Sequence, residues 1–259
     1  MGTVISITNQ KGGVGKTTTA INLSACVAQA GRRVLLIDLD PQGNSTSGLG
    51  VARKRELATS YDVLIGDVSA EEAILHTMIK TLDVLPSRIA LAGAEVELVS
   101  MVGREQTMKH AIRPIVDRYD YIFIDCPPSL GLLTLNALTA SDSLLVPIQC
   151  EYFALEGLSQ LMNTIKLVRR NLNSRLDIQG VVLTMFSARL NLCVQVVEEV
   201  KKHFRSKVYN TIIPRSVRMS EAPSHGLPIT LYDSRNIGAK AYTNLASEFI
   251  EREEGNGKE

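Results

Sequence analysis

A chain of 259 residues that is 45% apolar is long and greasy enough to bury one large core. Its net charge of +1 excludes a globally basic nucleic-acid protein, although a local basic patch remains open. Cys26, Cys126, Cys150 and Cys193 stand far apart with no C-x-x-C pair, and His76, His110, His203 and His225 share no ligand spacing, which argues against a disulfide framework or a zinc knuckle. No apolar run reaches the ~18 residues of a membrane span and no leader pattern opens the chain, so a cytoplasmic protein is expected.

The first strand is expected over residues 4–8, where Val4, Ile5 and Ile7 are β-branched. It feeds "NQKGGVGKTTT" at 9–19, and a helical pattern follows from Thr17 through Ala20, Leu23 and Val27 to Gly31. Strand, glycine-rich loop and helix in that order form a phosphate-binding unit. Backbone amides converge on phosphate oxygens at a helix N-terminus, a lysine reaches the β/γ-phosphates and a Ser or Thr hydroxyl serves Mg²⁺. Gly15, Lys16 and Thr17 complete the end of G-x-x-x-x-G-K-[ST], while Gln10 stands where the first glycine belongs. One lysine therefore has an obvious task and the other, Lys11, does not.

The second strand, 33–38, runs into "IDLDPQGNST". Asp40 lies just past the strand end, where a carboxylate can orient or polarise a water. Further strands are expected at 82–85, 121–125, 143–148, 178–184 and 208–213, with helices over 153–171, 192–204 and 238–252. "YIFIDCPPS" is an apolar strand finishing in Asp125, the form of a carboxylate that holds Mg²⁺ through water. Taken singly, each acidic segment reads as an ordinary turn. Together with the loop they converge on one strand edge. Several strands are apolar on both faces, as buried parallel strands are. The alternation implies an α/β fold, a three-layer P-loop NTPase with a mostly parallel twisted sheet of about 7–8 strands and helices on both faces. A single domain is expected over 1–252, with a frayed polar tail at 253–259.

"KGGVGKTT", "IDLDPQGN" and "IDCPPSLG" as a set resemble the deviant Walker A ATPases of the ParA and MinD superfamily. "ALTASDSLLVPIQCEYFALEGLSQL", "GVVLTMFSARLN" and "IPRSVRMSEAPSHGLPI" extend the likeness almost to the C-terminus, closest to the chromosomal ParA branch that includes the Soj proteins of spore-forming bacteria. The resemblance implies a task for Lys11: reaching across a two-fold interface to the phosphates of a second subunit's ATP, so that ATP glues a sandwich homodimer. Gly12 would keep the facing loops free to approach closely. By position, Lys16 would bind phosphate in cis and Thr17 would ligate Mg²⁺. Thr18, with the amides of Gly13, Val14 and Gly15, would hold the α/β-phosphates. Asp40 would act on the water, Asp125 on the metal shell, and Met185 and Pro214 would flank the adenine.

Lys201, Lys202, Arg205 and Lys207 cluster, followed by Arg215 and Arg218, with Arg189 in an expected loop. On spacing alone such a run is a solvated helix face. The resemblance instead implies non-specific binding of double-stranded DNA by the ATP dimer through Arg189 and Arg218, and association with the nucleoid. It also implies hydrolysis stimulated by a ParB-like partner (Spo0J in spore-formers), contact with the replication initiator DnaA, and an influence on replication and sporulation. Two rivals share the nucleotide chemistry. A MinD-like membrane ATPase needs a terminal amphipathic helix, which "ASEFIEREEGNGKE" does not offer, so no membrane partner is expected. A metabolic enzyme of the superfamily needs either bridging thiolates or a substrate pocket, neither of which the residues reveal.

Overall fold

A computed structural model describes residues 2–51, 57–151 and 156–256. Seven strands form one sheet: β1 (Thr3–Ile7), β2 (Val34–Asp38), β3 (Leu75–His76), β4 (Leu82–Leu85), β5 (Tyr121–Asp125), β6 (Ser143–Gln149) and β7 (Asp177–Thr184). Their order is β3-β4-β2-β5-β1-β6-β7, and every pairing is parallel except that of β3 with β4. The helices are α1 (Lys16–Gln29), α2 (Asn44–Gly48), α3 (Ser60–Ile65), α4 (Ala70–Ala73), α5 (Leu91–Glu97) and α6 (Thr107–Ile112) in the first half. The second half carries α7 (Leu132–Ala140), α8 (Glu156–Asn171), α9 (Asn191–Phe204), α10 (Val217–Glu221), α11 (Ile229–Tyr232) and α12 (Ile237–Asn256). Of the expected helix 153–171, residues 153–155 lie outside the described residues, as do 152–155 of the "EYFALEG" segment and 257–259 of the tail.

The central strands are buried on both faces, and their side chains divide by the period of two. Ile5, Ile7, Leu36, Tyr121 and Phe123 point to a layer built by α1 and α12. Val4, Leu35, Ile37, Ile122 and Ile124 point to the opposite layer, with Leu91, Met108 and Leu133. A third apolar cluster joins β6 and β7 to Leu161, Ile165 and Val196. The chain is thus the three-layer α/β P-loop NTPase fold expected of it.

Two expectations need correction. The seventh strand is the two-residue β3, not 208–213. Residues 208–214 run beside β7 without building a ladder: bridges pair Val181 with Val208 and Phe186 with Pro214, and the Tyr209 and Ile213 amides donate to the Val181 and Leu183 carbonyls at 2.9 and 2.8 Å. The reason lies in α12: Glu248 accepts from the amides of Asn210 and Thr211 at 2.8 and 2.9 Å, drawing them away from the sheet. The tail does not fray at 253, because α12 stays helical to Asn256.

Candidate functional site

Parallel order brings the C-terminal ends of β1, β2 and β5 side by side, with Asp38 in register with Asp125 and Ile7 with Asp125. All three signature segments leave the sheet there. The loop after β1 turns into α1 at Gly15, whose φ of 90° a residue with a Cβ would adopt only under strain. The Gly15 carbonyl then accepts the Thr19 amide at 2.8 Å and starts the helix. Behind the loop, the Thr184 hydroxyl at the end of β7 donates to the Val14 carbonyl at 2.8 Å. The Asn9 side chain ties the loop to β6, accepting from the Lys11 amide at 3.1 Å and donating to the Pro147 carbonyl at 2.8 Å.

Lys16 is buried, and its ammonium donates to the Lys11 carbonyl at 3.1 Å. Burial lowers its pKa below the ordinary value, while Asp125 and Asp40 close by act in the opposite sense. Asp125 is wholly buried. Its Oδ2 accepts from the Ser45 hydroxyl at 2.8 Å, the nearby Thr17 hydroxyl acts to lower the carboxyl pKa, and Oδ1 has no hydrogen-bond partner among the described residues. Burial, reinforced by neighbouring Asp38, holds the Asp125 pKa well above the carboxylate range. Asp38 is raised too, again chiefly by burial, but three donors offset part of that: the Thr46 amide and hydroxyl at 2.7 Å each and the Asp40 amide at 3.2 Å. Asp40 itself is nearly buried, and its Oδ1 accepts from the Gln42 amide at 2.9 Å.

Beside the loop opens a cavity of about 160 Å³ lined by Gly15, Thr18, Met185, Pro214, Met219 and Tyr242. That is room for an organic ring rather than a single water. Met185 has a φ of 52°, unusual for a residue with a side chain, and this bend lets Phe186 bond to the Ile213 carbonyl at 3.1 Å. Of the residues singled out in the sequence, the loop from Lys11 to Thr18, Asp40, Asp125, Met185 and Pro214 therefore share one site. Gly12 stands with open space around its Cβ position.

Arg189 and Arg218 lie outside this cluster, on segments that the Arg215 amide links by donating to the Phe186 carbonyl at 3.2 Å. Arg189 is exposed and makes no ion pair among the described residues. Arg218 is exposed but engaged, 3.0 Å from Glu221, 3.9 Å from Asp233 and 5.9 Å above the Tyr232 ring. Sequence reasoning missed Asn9, Ser45, Thr184 and Tyr242. For Ser45 a signal existed, the polar "GNST" following Asp40, and Asn9 opens the glycine-rich loop itself; Thr184 and Tyr242 are brought in from distant elements.

A family model described as an AAA domain matches residues 2–178. The chain is 60% identical over 248 residues to the sporulation initiation inhibitor protein Soj of Bacillus subtilis, covering 96% of this chain and 98% of that one. The chain belongs to the ParA/Soj family of chromosome-partitioning ATPases. A ParA/Soj protein of Myxococcus xanthus, the chromosome partitioning protein ParA, is 53% identical over 253 residues, covering 98% and 89% of the two chains. Among solved structures, the cobyrinic acid a,c-diamide synthase of Mycobacterium smegmatis with bound ATP analog and magnesium superposes with a TM-score of 0.87 at 36% identity, covering 99% and 97%. The ParA/Soj family thus shares its scaffold with a protein named for another chemistry, and the site has to carry the functional argument.

Proposed function

We propose that this chain is a slow, Mg²⁺-dependent ATP switch that closes into a sandwich homodimer on ATP and binds double-stranded DNA without sequence preference. A ParB/Spo0J-like partner stimulates hydrolysis and releases the protein from the nucleoid. Contacts with the initiator DnaA, and through them effects on replication and sporulation, belong to the same reading.

The observation that carries it is the convergence of Lys16, Asp40 and Asp125 on one sheet edge, with Asp125 Oδ1 buried and without a hydrogen-bond partner among the described residues. Orphaned carboxylate oxygen and the Thr17 hydroxyl are hard oxygen donors, the type Mg²⁺ takes, so Thr17 would hold the ion directly and Asp125 through its water shell. The ion held by these residues would supply charge neutralisation for the phosphates. Lys16 binds the same phosphates, and the amides from Gly13 to Gly15 with Thr18 cradle the inner ones. Asp40 orients the water. Met185 and Pro214 take the adenine. Lys11 reaches the second subunit's phosphates, so losing the γ-phosphate loosens the dimer.

The membrane reading is disfavoured by α12, whose Tyr242, Leu245 and Phe249 are spent on the core. The metabolic reading is disfavoured by the difference between 60% identity to Soj and 36% to the diamide synthase. Light scattering joined to a DNA-shift assay, in ADP and in ATP, tests the proposal. A dimer that shifts arbitrary DNA in ATP alone is the expected result. A dimer with no DNA affinity at low salt would move the function to the membrane or metabolic branch.

A further inference from the structure

Asp40 is held from both sides of its own Cα by a closed ring of hydrogen bonds. The Ser87 hydroxyl donates to the Asp40 carbonyl at 2.7 Å. The Ser87 amide donates to the Thr46 hydroxyl at 2.8 Å, which donates in turn to Asp38 Oδ2 at 2.7 Å. Asp38 Oδ1 accepts the Asp40 amide at 3.2 Å and closes the ring. Two acceptors close the circuit: the Asp40 carbonyl takes the Ser87 hydroxyl proton, and the Asp38 carboxylate takes those of the Thr46 hydroxyl and the Asp40 amide.

Ser87 and Thr46 are 2% and 3% exposed, so no water competes for these bonds. The ring spans two strands, because Ser87 follows β4 and Asp38 ends β2. Ser45, next to Thr46, extends the tie to Asp125 on β5. At Gly43, where φ is 62°, a Cβ would come within 2.9 Å of the Ser87 carbonyl. The loop is drawn against Ser87 so closely that a side chain is not accommodated.

We infer that Ser87 is a positioning residue for ATP hydrolysis, fixing the backbone of Asp40 so that its carboxylate meets the water in one orientation. The inference rests on the assignment of Asp40 made above. Ser87 touches neither phosphate nor base in this account, so its loss should appear in kcat and not in nucleotide affinity. Misplacing a catalytic group by about 1 Å can slow a reaction about 100-fold, and losing an outer hydrogen-bond partner of a site typically costs about 10–100-fold.

The test is steady-state ATP turnover by the full chain with Mg²⁺, together with ATP-dependent dimerisation, for Ser87→Ala, Thr46→Val, Thr46→Ser and Asp40→Ala. Ser87→Ala removes one hydroxyl and keeps its amide, so the fold is retained. Its kcat should fall about 10–100-fold while KM for ATP and the ATP dimer stay as in the parent. Thr46→Val should behave similarly, and Thr46→Ser, which keeps the hydroxyl, should recover most of the loss. Parental kcat in Ser87→Ala, beside an inactive Asp40→Ala, would overturn the ring alone. A raised KM or a lost dimer in Ser87→Ala would overturn it as well, by showing a general role in the site. Parental turnover in Asp40→Ala would overturn the Asp40 assignment and the ring's purpose together.

Discussion

The Lys11 ammonium lies 3.6 Å from the Glu151 carboxylate, within the same chain. Their side chains are 29% and 51% exposed, so solvent screens the pair, and such contacts contribute less than about 1 kcal/mol. Lys11 is held loosely enough to leave for a stronger anion. Lys11→Ala is therefore expected to unfold at nearly the parental temperature and still bind ATP, yet to remain monomeric in light scattering with ATP. A normal ATP dimer in that variant would remove the cross-subunit role.

Asp125 offers a test by pH. Among the described residues Asp38 accepts bonds at both oxygens and Asp125 at Oδ2 alone, so of this close pair Asp125 is the one to keep a proton. An acid whose pKa is raised by folding, here from 3.8 to about 7, binds more protons folded than unfolded across that interval. Stability without nucleotide should accordingly be greatest at the acid end of the interval, as far as this group decides it, and fall as pH rises toward 7. Asp125→Asn should flatten that slope and stabilise the protein at neutral pH by more than about 1.4 kcal/mol, the worth of one pKa unit. Urea unfolding at a series of pH values measures it. Turnover should be lost in the same variant, since a neutral amide is a poor partner for Mg²⁺.

For DNA, the two arginines should not be equal. Arg189 makes no ion pair among the described residues, whereas Arg218 has to give up Glu221 and Asp233 before it can take a phosphate. Arg189→Glu should weaken DNA binding by the ATP dimer more than Arg218→Glu. In the parent protein log affinity should fall linearly with log salt, by about 0.9 per phosphate neutralised, and each variant should reduce the slope. Unchanged binding in the double variant would move the interface to Lys201 and Arg205.

Packing supplies a fourth expectation. Phe249 is fully buried, its ring 5.0 Å from that of Tyr121 and 5.4 Å from that of Phe123, and it fastens α12 to the sheet. Phe249→Ala should destabilise the fold by about 3–5 kcal/mol in urea unfolding. A loss under about 1 kcal/mol would mean that α12 is not docked as described.

Much of this was legible in the residues because it is local. Strands such as "VLLID" and "YIFID" announce a buried parallel sheet by being apolar at every position. The loop from Lys11 to Thr18 declares itself by the order of strand, glycines, lysine and helix. What escaped is what depends on partners far along the chain. Residues 208–213 have a strand's composition, but Glu248 on α12 takes two of their amides, and no window of ten residues contains both. Two-residue β3 is too short to show a period. Ser87 looks like an ordinary serine before a helix, and its bond to the Asp40 carbonyl crosses 47 positions. Met185 stands just past the strand expected at 178–184, and nothing in its side chain announces the positive φ of the turn it makes there.

The segment drawn aside by Glu248 also guards the border of the sheet. β7 is an outer strand, and a bare row of amides and carbonyls there would be a template on which a second sheet could grow. Residues 208–214 lie over that row without completing a ladder, so they cover the border and offer no continuous edge of their own. At the opposite border the sheet stops after the two residues of β3. The ATP-gated dimer proposed above would thereby be shielded from the easiest route to uninvited association, sheet edge against sheet edge.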